Sequence, residues 1–386
     1  INKKRNIENF DKSLLTDNPY DIVNDSEIDV VIEVAGGVNP IFDILKTALI
    51  NKKHIVTANK ELLAKQGSEL FKIARENNVI ILYEAAVAGG IPIIMPVKTI
   101  LCANKITKIA AILNGTTNYI LTKMAEKELS YETALKQAQE LGYAETNPAG
   151  DVEGFDAAYK LAILSTISFN RKTDINKIYR EGITKITAQD IKSAKELGYT
   201  IKLIAMGQLL DDGKIDLRVH PMLVAKKHLL AKVKDATNSI MLTGYPVGNL
   251  VLTGAGAGAE PTSSSVAGDL LCLASELETT NKPIPQAVCN HNESADQIDI
   301  GETYNEYYIA INAGNNPGVI GLVGTVCGKN NINISTIMQK GINEDNTAEI
   351  VVITEKSKES DVQNALKELL KSGSINKIDN LLRVMN

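Results

Sequence analysis

Residues 28–37, Ile28-Asp-Val-Val-Ile-Glu-Val34 followed by Ala35 and Gly36-Gly37, decide the fold class. The run is short, apolar and β-branched and closes on a glycine turn, the pattern of a buried parallel strand. Next, Pro40 suits the first turn of a helix along which Ile41, Ile44, Leu45, Ala48 and Leu49 recur at helical spacing. His54-Ile-Val-Thr57 reads as a second strand, Glu61 to Asn77 as a helix and Val79-Ile-Ile-Leu-Tyr83 as a third strand. The order β-α-β-α-β predicts an α/β, doubly wound parallel sheet whose ligands sit at the carboxyl ends of its strands.

Beyond residue 104 the pattern changes. A strand at Ile106 to Leu113 precedes helices near 117–127, 130–141 and 154–168, then strands near 199–210, 214–224, 239–243 and 249–253. This mixture predicts an α+β domain over 105–280. Residues 281–305, polar and carrying Pro283 and Pro285, read as a linker. Strands at 307–311, 332–338, 347–354 and 375–384, with helices at 318–329 and 362–371, give β-α-β-β-α-β over 306–386, the ferredoxin-like order.

The 386 residues carry 41 Lys+Arg against 46 Asp+Glu, a net charge of −5 with the basic residues scattered, which excludes the electrostatic footprint of a nucleic-acid binder. The longest apolar stretch, Val87 to Val97, is broken by Gly89, Gly90, Pro92 and Pro96, so no membrane span is expected. Cys102, Cys272, Cys289 and Cys327 lie far apart without metal-like spacing, and no secretory signal opens the chain, which together predict a cytoplasmic protein. His54, His220, His228 and His291 lack zinc spacing and read as structural or exposed.

The chemistry-bearing residues concentrate in Ala138-Gln-Glu-Leu-Gly142-Tyr-Ala-Glu145-Thr-Asn-Pro148-Ala-Gly-Asp151-Val-Glu-Gly154-Phe-Asp156-Ala-Ala-Tyr-Lys160. Gly142 ends one helix, and Asp156 and Lys160 share a face of the next, so three carboxylates surround one ammonium. By spacing alone this is a surface loop with an i,i+4 pair worth about 0.3–0.5 kcal/mol. Read as a pattern, A-x3-G-Y-A-x2-N-P-x2-D-V-x-G-x-D-x3-K, the segment resembles the signature of homoserine dehydrogenases in full. Thr57-Ala-Asn-Lys60, Glu84 to Pro92, Asn114-Gly-Thr-Thr-Asn118 and Gly254-Ala-Gly-Ala-Gly258 with Pro261-Thr262 look like further blocks of that family, in its order.

The resemblance implies a Rossmann-like nucleotide-binding domain over 1–104, rejoined by the helix near 261–280, and an α+β catalytic and dimerisation domain. It implies interconversion of L-homoserine and L-aspartate 4-semialdehyde with NADP or NAD, a step toward threonine and methionine. Lys160 would be the acid/base, assisted by Lys60, and Asp156 would orient it. Glu145 and Asp151 would hold the substrate's α-ammonium, with Gly115 and Thr116 beside them. Gly36, Lys60, Gly142, Gly256, Gly258 and Glu260 would contact the cofactor. Glu84, Val87, Gly89 and Ile91 look like the family's sodium site, which is built mostly from backbone carbonyls. Read without the family, Lys60 is a solvated lysine at a helix start capped by Asn59, and Asn114 to Asn118 is a capping turn or a ligand-facing loop.

One departure from the family pattern is expected. No first strand and no G-x-G-x-x-G loop precede Ile28, so roughly 40 residues of the nucleotide-binding fold are absent by comparison with the family. The basic run Lys3-Lys4-Arg5 favours a 2′-phosphate. The final segment resembles an ACT domain: Asn316, Gly318, Val319 and Ile320 form the turn and helix start open to an amino-acid effector's carboxylate, which the family implies is threonine. A homodimer or homotetramer is expected. The rival reading is an amino-acid-binding regulatory protein without catalysis.

Overall fold

The computed structural model describes residues 11–279, 291, 293–342 and 346–386. The basic run Lys3 to Arg5, Cys289 and residues 281–290 and 292 of the expected linker 281–305 lie outside the described residues. The chain forms two units: Ile1–Asn104 with Ala162–Ile175 and Ala257–Ser294, and Lys105–Leu161 with Asn176–Gly256 and Ala295–Asn386.

In the first unit, β1 (Val30–Glu33), β2 (His54–Thr57) and β3 (Ile81–Leu82) make a parallel sheet in the order β1-β2-β3. The connections are the helices Ile41–Ile50 and Lys60–Glu76; the first buries Ile44, Leu45, Ala48 and Leu49 as read from the sequence, with Phe42 buried in place of the half-buried Ile41. The third strand is shorter than expected, because the chain turns into a 3-10 segment at Glu84–Ala86. One face of the sheet packs Val56, Ile80 and Leu82 against Leu273, with Val266 and Leu277 of the helix Ala259–Thr279 beside them. Along β1, Val31 and Glu33 are buried while Ile32 faces outward.

The second unit carries a larger sheet built from β4 (Lys105–Ile112), β5 (Tyr179–Arg180), β6 (Tyr199–Leu209), β7 (Ile215–Ala225), β8 (Thr237–Tyr245), β9 (Gly248–Ala255), β10 (Tyr304–Gly314), β11 (Ile334–Ile342), β12 (Thr347–Thr354), β13 (Ser357–Lys358) and β14 (Ile375–Met385). The main path runs β11-β12-β10-β14-β7-β6-β4-β8-β9. Within it, β10, β11, β12 and β14 with the helices Val319–Lys329 and Glu359–Lys371 reproduce the expected β-α-β-β-α-β order, with β12 inserted between β10 and β11. One join has no local sequence signal. β14 pairs in parallel with β7, Arg383 opposite Met222 and Met385 opposite Val224, so the C-terminal module continues the preceding sheet.

That join has a polar core. Arg383, fully buried, donates through Nε and Nη2 to Glu359 at 3.0 and 2.7 Å and through Nη1 to Glu181 at 2.8 Å. Tyr307 Oη donates to the same Glu359 carboxylate at 3.0 Å. Burial pushes the Glu359 carboxyl up, but the guanidinium outweighs it and holds the group below its ordinary value. Removing one partner of such a pair strands a buried charge. Arg383→Ala is therefore expected to lose about 3–5 kcal/mol in urea unfolding of the full chain. The depressed Glu359 carboxyl supports stability above the ordinary carboxylate range and loses that support as pH falls, so the variant should also show a flatter acid dependence.

Candidate active site

The site grows from the end of β4. Leu113 closes the strand and Asn114 caps the helix Gly115–Lys127, its Oδ1 accepting from Thr117 N at 2.8 Å. The same side chain turns its Nδ2 to two carboxylates, donating to Asp151 Oδ1 at 2.7 Å and to Asp156 Oδ2 at 2.9 Å. Lys160 lies one turn beyond Asp156 on the helix Phe155–Phe169, and its Nζ donates to Asp156 Oδ2 at 2.8 Å and to the Leu113 carbonyl at 2.8 Å. Both residues are buried, Lys160 with 6% and Asp156 with 8% exposure, which decides against a solvated surface pair.

Burial raises the Asp151 carboxyl above its ordinary value, and the neighbouring Asp156 charge adds to the rise against Asn114, Thr116 and Lys160. Thr116 Oγ1 donates to Tyr143 O at 2.6 Å, tying the loop after the helix Tyr131–Glu140 to the start of the helix Gly115–Lys127. Gly115 belongs there because a Cβ would stand 2.7 Å from Ala236 O. Asn118 anchors the other end of the motif: its Nδ2 donates to Asp235 O at 2.9 Å and its Oδ1 accepts from Lys202 Nζ at 2.8 Å. Burial pushes Lys202 down to about 8. Gly142 (φ +76°) ends the helix Tyr131–Glu140, and the Glu145 side chain is exposed. A Cβ on Gly256 would collide with the Asn238 amide.

The remaining expected residues belong to the first unit. Thr57 Oγ1 donates to Glu33 Oε2 at 2.6 Å, Ala35 N and Gly36 N donate to Glu33 Oε1 at 2.8 and 2.9 Å, and Asn59 Nδ2 donates to Gly37 O at 2.7 Å. These bonds fix the carboxyl ends of β1 and β2. Gly36 and Gly37 both have φ +79° with no atom within 4 Å of a would-be Cβ, an opening that admits close approach of a nucleotide to the backbone. Lys60 begins the helix after the Asn59 cap, as read from the sequence. Gly258 (φ +116°) and Glu260 stand at the start of the helix Ala259–Thr279, two residues earlier than Pro261 suggested.

At Glu84 the side chain is a helix cap, its two oxygens accepting from Ile93 N, Ile94 N and Met95 N. Ala88 (φ +57°) and Gly89 (φ +52°) turn the backbone sharply there, and Glu84 N donates to Asp269 Oδ2 at 2.8 Å. Among the described residues no group of three His, Cys, Asp or Glu is placed to hold a metal ion, and no helix is long and apolar enough to cross a membrane.

The chain resembles known proteins over most of its length. A family model described as homoserine dehydrogenase matches residues 92–271, and one described as homoserine dehydrogenase, NAD binding domain, matches residues 2–84. The homoserine dehydrogenase of Neisseria gonorrhoeae is 40% identical over 351 residues, covering 90% of this chain and 80% of the relative. That of Synechocystis is 38% identical over 392 residues, covering 100% and 90%. The crystal structure of a homoserine dehydrogenase from Thiobacillus denitrificans superimposes with a TM-score of 0.91 at 37% identity, covering 96% of this chain and 85% of the other.

The chain belongs to the homoserine dehydrogenase family. As a homoserine dehydrogenase it is an NAD(P)-dependent oxidoreductase, and its substrates are L-homoserine and L-aspartate 4-semialdehyde. Two features of its site have no sequence signal: the Leu113 carbonyl, which any residue type supplies, and the double use of the Asn114 amide. Because Asn114 caps a helix and bridges two carboxylates, Asn114→Ala should lose about 1–3 kcal/mol in urea unfolding. Asn114→Asp keeps the cap acceptor but adds a third carboxylate, and should cost at least as much.

Proposed function

We propose that Lys160 is the acid/base of homoserine oxidation, and the observation that carries this is its buried Nζ held by Asp156 and the Leu113 carbonyl. Among the described residues two acceptors engage Lys160 Nζ. As a neutral amine the group keeps two N–H donors for them and turns a lone pair to the substrate hydroxyl. Oxidising the alcohol carbon requires a group to take the hydroxyl proton, and that lone pair receives it; in the reverse direction the resulting ammonium returns the proton to the aldehyde oxygen. Asp156 fixes the side chain during both transfers. The bound nicotinamide supplies or accepts the hydride.

Asp151 and Glu145 hold the substrate's α-ammonium. The raised Asp151 carboxyl supports this, since an arriving cation offsets the burial, and the repulsion from Asp156, that raise it. Gly115 and Thr116 shape the same pocket. Gly36, Gly142, Gly256, Gly258, Glu260 and Lys60 contact NADP or NAD, and Lys60 assists the proton transfer. The carbonyls of Glu84, Val87, Gly89 and Ile91 bind sodium. The enzyme works in the cytoplasm as a homodimer or homotetramer, in the synthesis of threonine and methionine.

The C-terminal module is read as an ACT domain that binds threonine. Gly318, in a left-handed conformation (φ +92°), opens the helix Val319–Lys329 with no atom within 4 Å of a would-be Cβ. Val319 is buried in the module's core while Ile320 is exposed, so the effector meets the backbone and Ile320. The regulator without catalysis has no use for a buried lysine bound to a carboxylate.

Lys160→Ala is expected to lower kcat at least ~10²-fold, the scale of acid/base catalysis, with a smaller change in KM for homoserine. Glu145→Ala should act chiefly on that KM, because it contacts a part of the substrate that does not react. Steady-state rates followed by nicotinamide absorbance separate the two patterns. For the effector, deletion after Glu302 is a poor test because it would strip β14 from β7. Ile320→Asp instead places a negative charge at the proposed carboxylate site and should raise the threonine concentration for half-inhibition about 10-fold, relative to the variant's own uninhibited rate.

A further inference from the structure

Asn238 lies near the start of β8, opposite Gly254 of β9, and is fully buried. Its Nδ2 donates to the Leu113 carbonyl at 2.9 Å, the same oxygen that accepts from Lys160 Nζ at 2.8 Å. Its Oδ1 is buried without a hydrogen-bond partner. The reverse amide orientation would set two oxygens against each other at Leu113, so the orphan acceptor is a consequence of directing the donor there. A leucine of similar volume would fill the space without that penalty.

The surroundings hold the amide in place from two sides. Gly256 leaves no room for a Cβ beside it. The preceding loop is clamped by Asn118, whose Nδ2 donates to Asp235 O and to Thr237 O at 2.9 and 3.2 Å, and by the close approach of Gly115 to Ala236 O. The Asn114-Gly-Thr-Thr-Asn118 motif thus fixes Asn238 as well as the carboxylates.

We infer that Asn238 is a positioning residue for the reaction: it pins the Leu113 carbonyl, and that carbonyl together with Asp156 sets where Lys160 Nζ stands. The inference rests on the acid/base reading of Lys160. Gly256 is then a glycine because the Asn238 amide occupies the place of its side chain, whatever else its backbone touches.

The test is a double-mutant cycle on the full chain with NADP and homoserine, in which Asn238→Leu and Lys160→Ala are made singly and together and kcat is measured across pH. Asn238→Leu is expected to lower kcat at least ~10-fold, within the ~10²-fold that an ångström of misplacement costs. Loss of the pinned acceptor withdraws a hydrogen bond from the charged ammonium, so the acid limb of the profile should move to lower pH. In the Lys160→Ala background the same substitution should leave the residual rate unchanged. Thermal unfolding checks each variant; if Asn238→Leu does not fold, Asn238→Ser, which is too short to reach Leu113, takes its place with the same expectations. Equal losses in both backgrounds, an unmoved pH profile, or an undiminished kcat in a folded variant would overturn the inference while Lys160→Ala remains slow. An undiminished kcat in Lys160→Ala itself would overturn the acid/base reading and this inference together.

Discussion

A buried ammonium needs acceptors on its own scale of charge, and Lys160 imposes that need on everything around it. One turn of helix brings Asp156 to 2.8 Å, and the strand end brings the Leu113 carbonyl to the same distance. Asp156 in turn stands beside a second carboxylate, Asp151, so the pair requires a shared donor, which is the Asn114 amide. Because Asn114 also caps the helix Gly115–Lys127, that helix start, the segment at Asp151 and the helix that carries Asp156 and Lys160 are tied through one side chain. Their polar atoms belong to a single network, in which the loss of one member leaves others unsatisfied.

The same logic governs the join between β7 and β14. Arg383, Glu359, Glu181 and Tyr307 place charge inside a sheet junction, where it is tolerated because each charged group meets its counterpart. Glu181 precedes Gly182, which packs so tightly on the Val152 carbonyl that a Cβ has no room, and Ile183 N donates to that carbonyl at 2.8 Å. Val152 follows Asp151 directly. The C-terminal module and the segment that carries Asp151 therefore meet at residues 181–183, Glu181 bonding Arg383 and Ile183 bonding Val152.

Much of the architecture was legible in the chain. The alternating apolar strands and periodic helices of the first unit are local patterns, and so are the Asn59 and Asn114 caps that start two helices. The helix Ala188–Glu196 was missed although Thr187 and Asp190 form a capping box, because few apolar positions follow it. The two-residue strand β5 has no signal at all, since its pairing with β7 is set by the partner. The i,i+4 spacing of Asp156 and Lys160 was also visible, but spacing says nothing about burial.

Most of the element order, the glycine turn at Gly36-Gly37 and the residue types from which a proton-transferring site can be made are readable in the chain alone, because these follow from periodicity, backbone sterics and spacing within a few residues. Folding alone settles that Lys160 is buried, that the Leu113 carbonyl is shared with Asn238, that the Glu84 carboxylate caps a helix and that β14 continues the sheet of β7. The physical reason is common to all four. Backbone carbonyls and amides are the same at every residue, and desolvation depends on what distant segments bring, so neither is written in the local run of side chains.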